Sequence, residues 1–212
     1  MARKRVVIVG AGFGGLACAK ALDGGPVDVL LIDRNNYHVF TPLLYQVASS
    51  LLNPSDIAYP VRKIFRGSPN VRFMQAQVSG VDLEDRLLST TTGDPIDYDF
   101  LVVATGSTTN FFGNDRIKAR ALGLKNLSEA LQVRNHILGC LEAASKAADP
   151  RQQRRWMTFV IVGGGPTGVE FAGALAELMR LVLAEEYPQI TVPARIILVE
   201  GSKQLLNMFS DR

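Results

Sequence analysis

Cysteine, histidine and long apolar runs are scarce in this 212-residue sequence, and each scarcity narrows what the protein can be. The two cysteines, Cys18 and Cys140, form no CxxC motif and no zinc-ligand spacing, which is typical of a reducing compartment. No His, Asp or Glu cluster has metal-ligand spacing, so we expect no metal. No apolar run approaches the ~18 residues of a membrane span, and the basic start lacks the apolar stretch of a signal peptide. We therefore expect a cytoplasmic protein.

The overall composition is that of a globular protein with only a mild excess of positive charge. Hydrophobic residues make up 47% of the chain, charged residues 20%, and the net charge is +3. The basic cluster of Arg151, Arg154 and Arg155 has no interleaved aromatic residues, which argues against a nucleic-acid partner. We expect this cluster to form a solvated connector.

The first part of the chain has the pattern of a strand, a glycine-rich turn, a helix and a second strand. Arg5–Val9 and Val27–Ile32 are apolar, β-branched runs typical of buried parallel strands. Between them lie the glycine-rich turn Gly10–Gly15 and the Ala-rich segment Leu16–Leu22. Asp33 follows the second strand, 23 positions after Gly10.

This arrangement is typical of a dinucleotide-binding site, because each glycine of the G-x-G-x-x-G motif meets a different structural requirement. Gly10 allows the tight turn, Gly12 lets a pyrophosphate approach, and Gly15 lets helix and strand pack closely. The helix N-terminus presents free N–H groups to the phosphates, and Asp33 is placed to accept hydrogen bonds from ribose hydroxyls. Phe13, Gly14 and Arg34 complete the predicted set at this loop.

The same pattern recurs about 150 residues later. Thr158–Val162 predicts a strand, Gly163–Gly168 is a second glycine-rich turn, and Val169–Glu185 predicts a helix. The strand Arg195–Val199 ends at Glu200, 37 positions after Gly163. An acid at that place disfavours NADP, whose 2′-phosphate would meet a like charge.

The segment between the two patterns predicts a β-meander and one long helix. Val71–Val78, Val81–Leu83 and Arg86–Thr92 alternate as antiparallel strands do, and Phe100–Ala104 reads as another buried strand. Ser128 is a plausible N-cap for a helix of about 18 residues.

Two such loops predict two bound dinucleotides, and a flavin facing a nicotinamide is the economical pair because hydride transfer needs their rings in contact. The predicted fold is α/β, with two nested Rossmann-like dinucleotide-binding domains and a β-meander. We place the flavin domain at residues 1–113 and the nicotinamide domain at 114–212, with the second domain truncated.

Several segments together resemble the type II NADH:quinone oxidoreductases, single-subunit flavoproteins of the pyridine nucleotide-disulfide oxidoreductase fold. The most discriminating is Asn36–Ala48, because dinucleotide fingerprints are common to the whole superfamily. The resemblance covers essentially the whole chain, in order, through the segments Gly10–Gly15, Asn36–Ala48, Ala104–Ser107, Asn110–Gly113 and Gly163–Gly173.

The resemblance implies FAD at the first loop and NADH at the second. Gly10, Gly12 and Gly15 would meet the FAD pyrophosphate and Asp33 its ribose. Pro42 and Leu43 would lie near the flavin ring, Val78 near the adenine, and Thr105 and Gly106 beside the flavin. The residues implied for NADH are Gly163, Gly165, Gly168 and Glu200. Glu170, expected in the first turn of the second helix, is the candidate catalytic residue and would position the nicotinamide by hydrogen bonding.

The resemblance also implies segments beyond Arg212 that complete the flavin domain, the quinone site and a peripheral membrane anchor. We therefore expect the chain alone to be poorly active, and the full-length form to lie at the cytoplasmic face of the inner or plasma membrane. Two alternatives stay open. One is a dinucleotide-binding module without turnover, and the other is a flavoprotein reductase of the same fold with another acceptor.

Overall fold

The computed structural model of the protein describes residues 3–209. The strands are β1 (Lys4–Val9), β2 (Val27–Asp33), β3 (Tyr37–Val39), β4 (Ala58–Pro60), β5 (Val71–Gln75), β6 (Val78–Asp82), β7 (Leu87–Thr90), β8 (Ile96–Asp97), β9 (Phe100–Val103), β10 (Thr158–Val162) and β11 (Arg195–Val199). The helices are α1 (Phe13–Leu22), α2 (Leu44–Ala48), α3 (Pro54–Ile57), α4 (Val61–Ile64), α5 (Asp115–Lys118), α6 (Leu127–Lys146), α7 (Pro150–Trp156) and α8 (Pro166–Glu186), with a 3-10 turn at Thr41–Leu43. Within residues 3–209, no helix is long and apolar enough to cross a membrane.

Backbone contacts divide the chain into two compact units. Unit 1 comprises Met1–Val39 and Ala58–Thr108, and unit 2 comprises Phe40–Ile57 and Thr109–Arg212. The segment Phe40–Ile57 thus belongs with unit 2, where α2 packs against α6 and α8. The predicted boundary after residue 113 concerns which cofactor each part binds, and it stays a prediction.

Unit 1 is built on a four-stranded parallel sheet in the order β5-β2-β1-β9. One face carries Ile8, Leu31 and Phe73, which pack in the same buried cluster as Leu16 of α1 and Val61 of α4. The central strands β1 and β2 have nearly continuous apolar runs because both of their faces are covered. The prediction that Phe100–Ala104 is a buried strand was wrong, since β9 lies at the edge of the sheet and Phe100 and Val103 are exposed.

The other face of this sheet packs against the meander β6-β7-β8. Val7 and Ile32 of the sheet share a buried cluster with Leu88 of β7 and Tyr98. The predicted α/β class with a β-meander is confirmed, but the meander's first strand was wrong. Val71–Gln75 is a parallel strand beside β2, and the meander begins at Val78.

Unit 2 contains the second parallel pair, β10 and β11, with Thr158 opposite Arg195 and Val162 opposite Val199. Both strands have the predicted bounds. The basic cluster Arg151, Arg154 and Arg155 is exposed, as expected of a solvated connector. Its residues lie in the short helix α7, whose N-cap Asp149 accepts a hydrogen bond from the Arg151 amide.

Three helices begin earlier than predicted. Helix α1 begins at Phe13 rather than at Leu16. The N-cap of α6 is Asn126, whose side chain accepts a hydrogen bond from the Glu129 amide, so Ser128 lies inside the helix. Helix α8 begins at Pro166, because proline has no N–H to leave unpaired at a first helical position.

Candidate dinucleotide-binding sites

The first glycine-rich loop connects β1 to α1 inside unit 1. Gly10 has φ +105°, a backbone conformation that residues with side chains rarely adopt. A Cβ on Gly15 would lie 1.8 Å from the Gly10 carbonyl oxygen, so only glycine allows α1 to start this close to β1. A Cβ on Gly12, by contrast, meets nothing within 4 Å.

Asp33 closes this loop from the end of β2. Its Oδ2 accepts a hydrogen bond from the Ala11 amide at 2.7 Å, and its Oδ1 accepts one from the Asn35 amide at 2.8 Å. Two carboxylate oxygens have about four acceptor positions, so these bonds leave capacity for ribose hydroxyls.

The other residues predicted for the flavin lie in two places. In unit 1, Thr105 and Gly106 follow β9, whose partner β1 leads into the first loop, and a Cβ on Gly10 would lie 3.2 Å from the Thr105 amide nitrogen. Val78 begins the meander, half-buried, and Arg34 is exposed after Asp33. Phe13 and Gly14 are exposed in the first turn of α1. Pro42 and Leu43 instead lie in unit 2, in the 3-10 turn before α2.

The second glycine-rich loop, in unit 2, repeats the geometry of the first. Gly163 has φ +112°, and a Cβ on Gly168 would lie 1.9 Å from the Gly163 carbonyl oxygen. A Cβ on Gly165 meets nothing within 4 Å, as at Gly12. The two loops therefore have the same backbone geometry, and each unit contains one of them.

Glu200 takes the place in unit 2 that Asp33 has in unit 1. The carboxylate accepts hydrogen bonds from the Ser202 amide at 2.8 Å and from the Gly164 amide at 2.5 Å. The Ser202 bond, followed by the Gly164 bond, lowers the pKa of Glu200 below its ordinary value of 4.5. Glu200 is therefore a carboxylate at neutral pH.

Glu170 lies just beyond the first turn of α8, so its predicted placement in that turn was wrong. Because α8 starts at Pro166, Glu170 is its fifth residue, and the first turn contains no acid. A capping role would need an acid at the third helical position, which Gly168 occupies. The Glu170 side chain is exposed and has no hydrogen-bond or salt-bridge partner among residues 3–209.

Both loops fit a dinucleotide on their own geometry. Each leaves open space beside its second glycine, at the N-terminus of a helix whose first N–H groups have no partner within the helix. In each unit, a carboxylate at the end of the second strand accepts a hydrogen bond from an amide of the loop. This is the combination that a pyrophosphate and a ribose require.

Some hydrogen bonds in and near the first loop could not be predicted from the sequence, because they join residues that are far apart along the chain. His38 Nδ1 lies 2.9 Å from the Ala11 carbonyl oxygen, across 27 positions of chain. Asn70, 5% exposed, accepts a hydrogen bond from the Gly24 amide and donates to the Leu22 and Val27 carbonyls, which holds the turn between α1 and β2. Only the fold brings these partners together.

Comparison with known proteins gives a consistent picture. The family described as "Pyridine nucleotide-disulphide oxidoreductase" matches residues 4–212. Two curated relatives from Mycobacterium tuberculosis, the type II NADH:quinone oxidoreductases NdhA and Ndh, are 44% and 41% identical over 210 residues. These alignments cover 96% of this chain but only 44% and 45% of the relatives, so the chain spans less than half of their length.

A solved structure agrees with the curated relatives. NDH2 from Plasmodium falciparum, solved in complex with NADH, matches 99% of this chain and 44% of its own with a TM-score of 0.92 and 27% identity. The resemblance drawn from the sequence motifs is thereby confirmed.

Proposed function

Because the chain belongs to the pyridine nucleotide-disulphide oxidoreductase family, we propose that it functions as an FAD-dependent NADH:quinone oxidoreductase. The observation that carries the proposal is the pair of glycine loops with matching geometry, one in each unit. The relatives named as NADH:quinone oxidoreductases favour quinone over the acceptors of other reductases of this fold.

FAD bound at the first loop would accept a hydride from NADH and pass electrons to the quinone. Gly12 leaves room for the FAD pyrophosphate, and Asp33 offers oxygens to its ribose. Glu200 and Gly165 serve NADH in the same way. The remaining flavin contacts are proposed for Pro42, Leu43, Val78, Thr105 and Gly106. The quinone is apolar, so we propose that the full-length protein meets it at the cytoplasmic face of a membrane.

The test is reduction of a short-chain quinone by the purified full-length gene product. We expect bound FAD, loss of the oxidised flavin absorption on anaerobic addition of NADH, and its return on addition of the quinone. A protein that binds no flavin would contradict the assignment of the first loop. Flavin that is reduced by NADH but never reoxidised by quinone would contradict the acceptor.

Glu200 should make the enzyme prefer NADH over NADPH, because its carboxylate would face the 2′-phosphate of NADPH. In Glu200→Gln, kcat/KM with NADH divided by kcat/KM with NADPH should fall roughly five-fold. This is the effect expected for the loss of repulsion between two unit charges about 4 Å apart in water. The exposed Glu185 supplies the control, since Glu185→Gln should leave the ratio unchanged. An unchanged ratio in Glu200→Gln would assign the preference to another residue.

Glu170 is proposed to orient the nicotinamide by hydrogen bonding, since hydride transfer depends on geometry more than on proton abstraction. Its carboxylate has no protein partner among residues 3–209, which leaves it available to a ligand. Glu170→Gln should slow anaerobic flavin reduction by NADH, and Glu170→Ala should slow it about ten-fold or more, within the range of a lost hydrogen bond. Flavin content should stay intact.

The exposed Glu177 of the same helix is the matched control, and Glu177→Gln should reduce flavin at the wild-type rate. Wild-type reduction rates and NADH affinity in both Glu170 variants would remove this residue from the site.

A further inference from the structure

The peptide groups on both sides of Ala11 are held by side chains from outside the first loop. The Ala11 N–H donates to Asp33 Oδ2 at 2.7 Å, and the Ala11 carbonyl lies 2.9 Å from His38 Nδ1. A carbonyl oxygen can only accept, so Nδ1 carries the proton and donates. Ala11 itself is only 2% exposed, which leaves these two bonds little competition from water.

The second loop holds the corresponding residue in the same way. The Gly164 N–H donates to Glu200 Oε2 at 2.5 Å, and its carbonyl accepts from the Leu206 amide at 2.8 Å. In both loops a side-chain carboxylate accepts the hydrogen bond from the N–H, but the group that donates to the carbonyl differs. Unit 2 uses a backbone amide, whereas unit 1 uses an imidazole that substitution can remove.

Fixing the Ala11 carbonyl also fixes the next N–H. A trans peptide is planar, so the Gly12 N–H points opposite to the Ala11 carbonyl and therefore away from His38. Gly12 is the N-cap of α1, is exposed, and has open space where its Cβ would be. This N–H belongs to the N-terminus of α1, the kind of place where phosphate oxygens bind to free backbone N–H groups.

We propose that His38 is a positioning residue that aims the Gly12 N–H at the FAD pyrophosphate. The proposal rests on the proposed function, which places FAD at the first loop. His38 does this without touching the cofactor's reacting ring, by holding a single peptide plane in one orientation.

The imidazole is itself held in place. His38 is the middle residue of β3 and pairs with Tyr59 of β4. The Phe13 ring meets it edge-on, with centroids 5.2 Å apart and an interplanar angle of 88°. A residue restrained on two sides loses little further freedom when it donates its hydrogen bond, which suits an orienting role.

Two substitutions separate the donated bond from the ring. His38→Phe keeps a ring beside Phe13 but removes the donor, whereas His38→Asn carries an amide N–H near the position of Nδ1. His38→Phe should weaken FAD binding to the apoprotein about ten-fold, the cost of a misdirected hydrogen bond to a charged phosphate. His38→Asn should recover most of this affinity. The matched control is His136→Phe on α6, which should bind FAD as the wild type does.

Amide hydrogen exchange of the apoprotein gives a second readout that needs no flavin. His38→Phe should speed exchange in residues 10–16 and leave residues 163–169 unchanged, because only the first loop depends on His38. If His38→Phe does not fold, His38→Ala, which also lacks the donor, takes its place in the same comparison with His38→Asn and with the wild type.

Wild-type FAD affinity in His38→Phe, or equal weakening in both variants, would overturn the positioning role. A wild-type protein that binds no FAD would instead overturn the proposed function, and the exchange pattern would then report whether His38 still holds the loop.

Discussion

Replacing Gly15 with alanine should destabilise unit 1 by about 3 kcal/mol or more, because the obstacle is backbone that cannot move aside. The added Cβ would lie 1.8 Å from the Gly10 carbonyl oxygen, 3.0 Å from its carbon and 3.3 Å from Ile8 Cγ2. Helix α1 would have to shift away from β1, which opens the buried cluster between them. Chemical denaturation of the apoprotein measures the loss.

The neighbouring Gly14 provides a control with the opposite sign. It is exposed in the first turn of α1 and has nothing within 4 Å of an added Cβ. Gly14→Ala should therefore stabilise slightly, by roughly 0.5–1 kcal/mol, through helix propensity. Equal stability of Gly15→Ala and wild type would show that α1 does not approach the Gly10 carbonyl this closely.

Replacing Gly12 with valine should abolish flavin retention while leaving the fold intact. Gly12 has φ −71° and ψ −166°, an extended conformation that valine adopts readily, and its Cβ would occupy open space. That space is where the pyrophosphate is proposed to lie, so FAD affinity should fall about a hundred-fold or more, an effect of about 3 kcal/mol.

Flavin content per chain and the thermal midpoint of the apoprotein, measured together, separate binding from folding. We expect colourless Gly12→Val protein with a near wild-type apoprotein midpoint. Wild-type flavin stoichiometry in this variant would place FAD elsewhere.

The sequence pattern correctly predicted those elements whose structure depends only on residues that are close in sequence. β10 and β11 have the bounds that their β-branched runs indicated, and both glycine loops lie between a strand and a helix. The third glycine of each loop has the close contact that its place in the motif requires. These features depend on neighbours in sequence.

Features that depend on distant partners were missed. Val71–Gln75 alternates well enough to suggest a meander strand, but its pairing with β2 is decided by a partner some 40 positions away. Asn126 and Ser128 are both good N-caps, and the observed start after Asn126 places the buried Leu127 inside α6. The bond from His38 to Ala11 likewise exists only after β3 has folded beside the first loop.

Anaerobic titration of the Gly165→Val variant with NADH most directly tests the proposal that FAD binds at the first loop and NADH at the second. Gly165 has the same extended backbone and open surroundings as Gly12, with φ −74° and ψ −179°, so valine should leave the fold intact. The account predicts that this variant of the full-length gene product keeps its flavin at wild-type stoichiometry, and that NADH reduces the flavin only at far higher concentrations than in the wild type. Loss of flavin from Gly165→Val, or wild-type reduction at low NADH, would contradict the assignment of FAD to the first loop and NADH to the second.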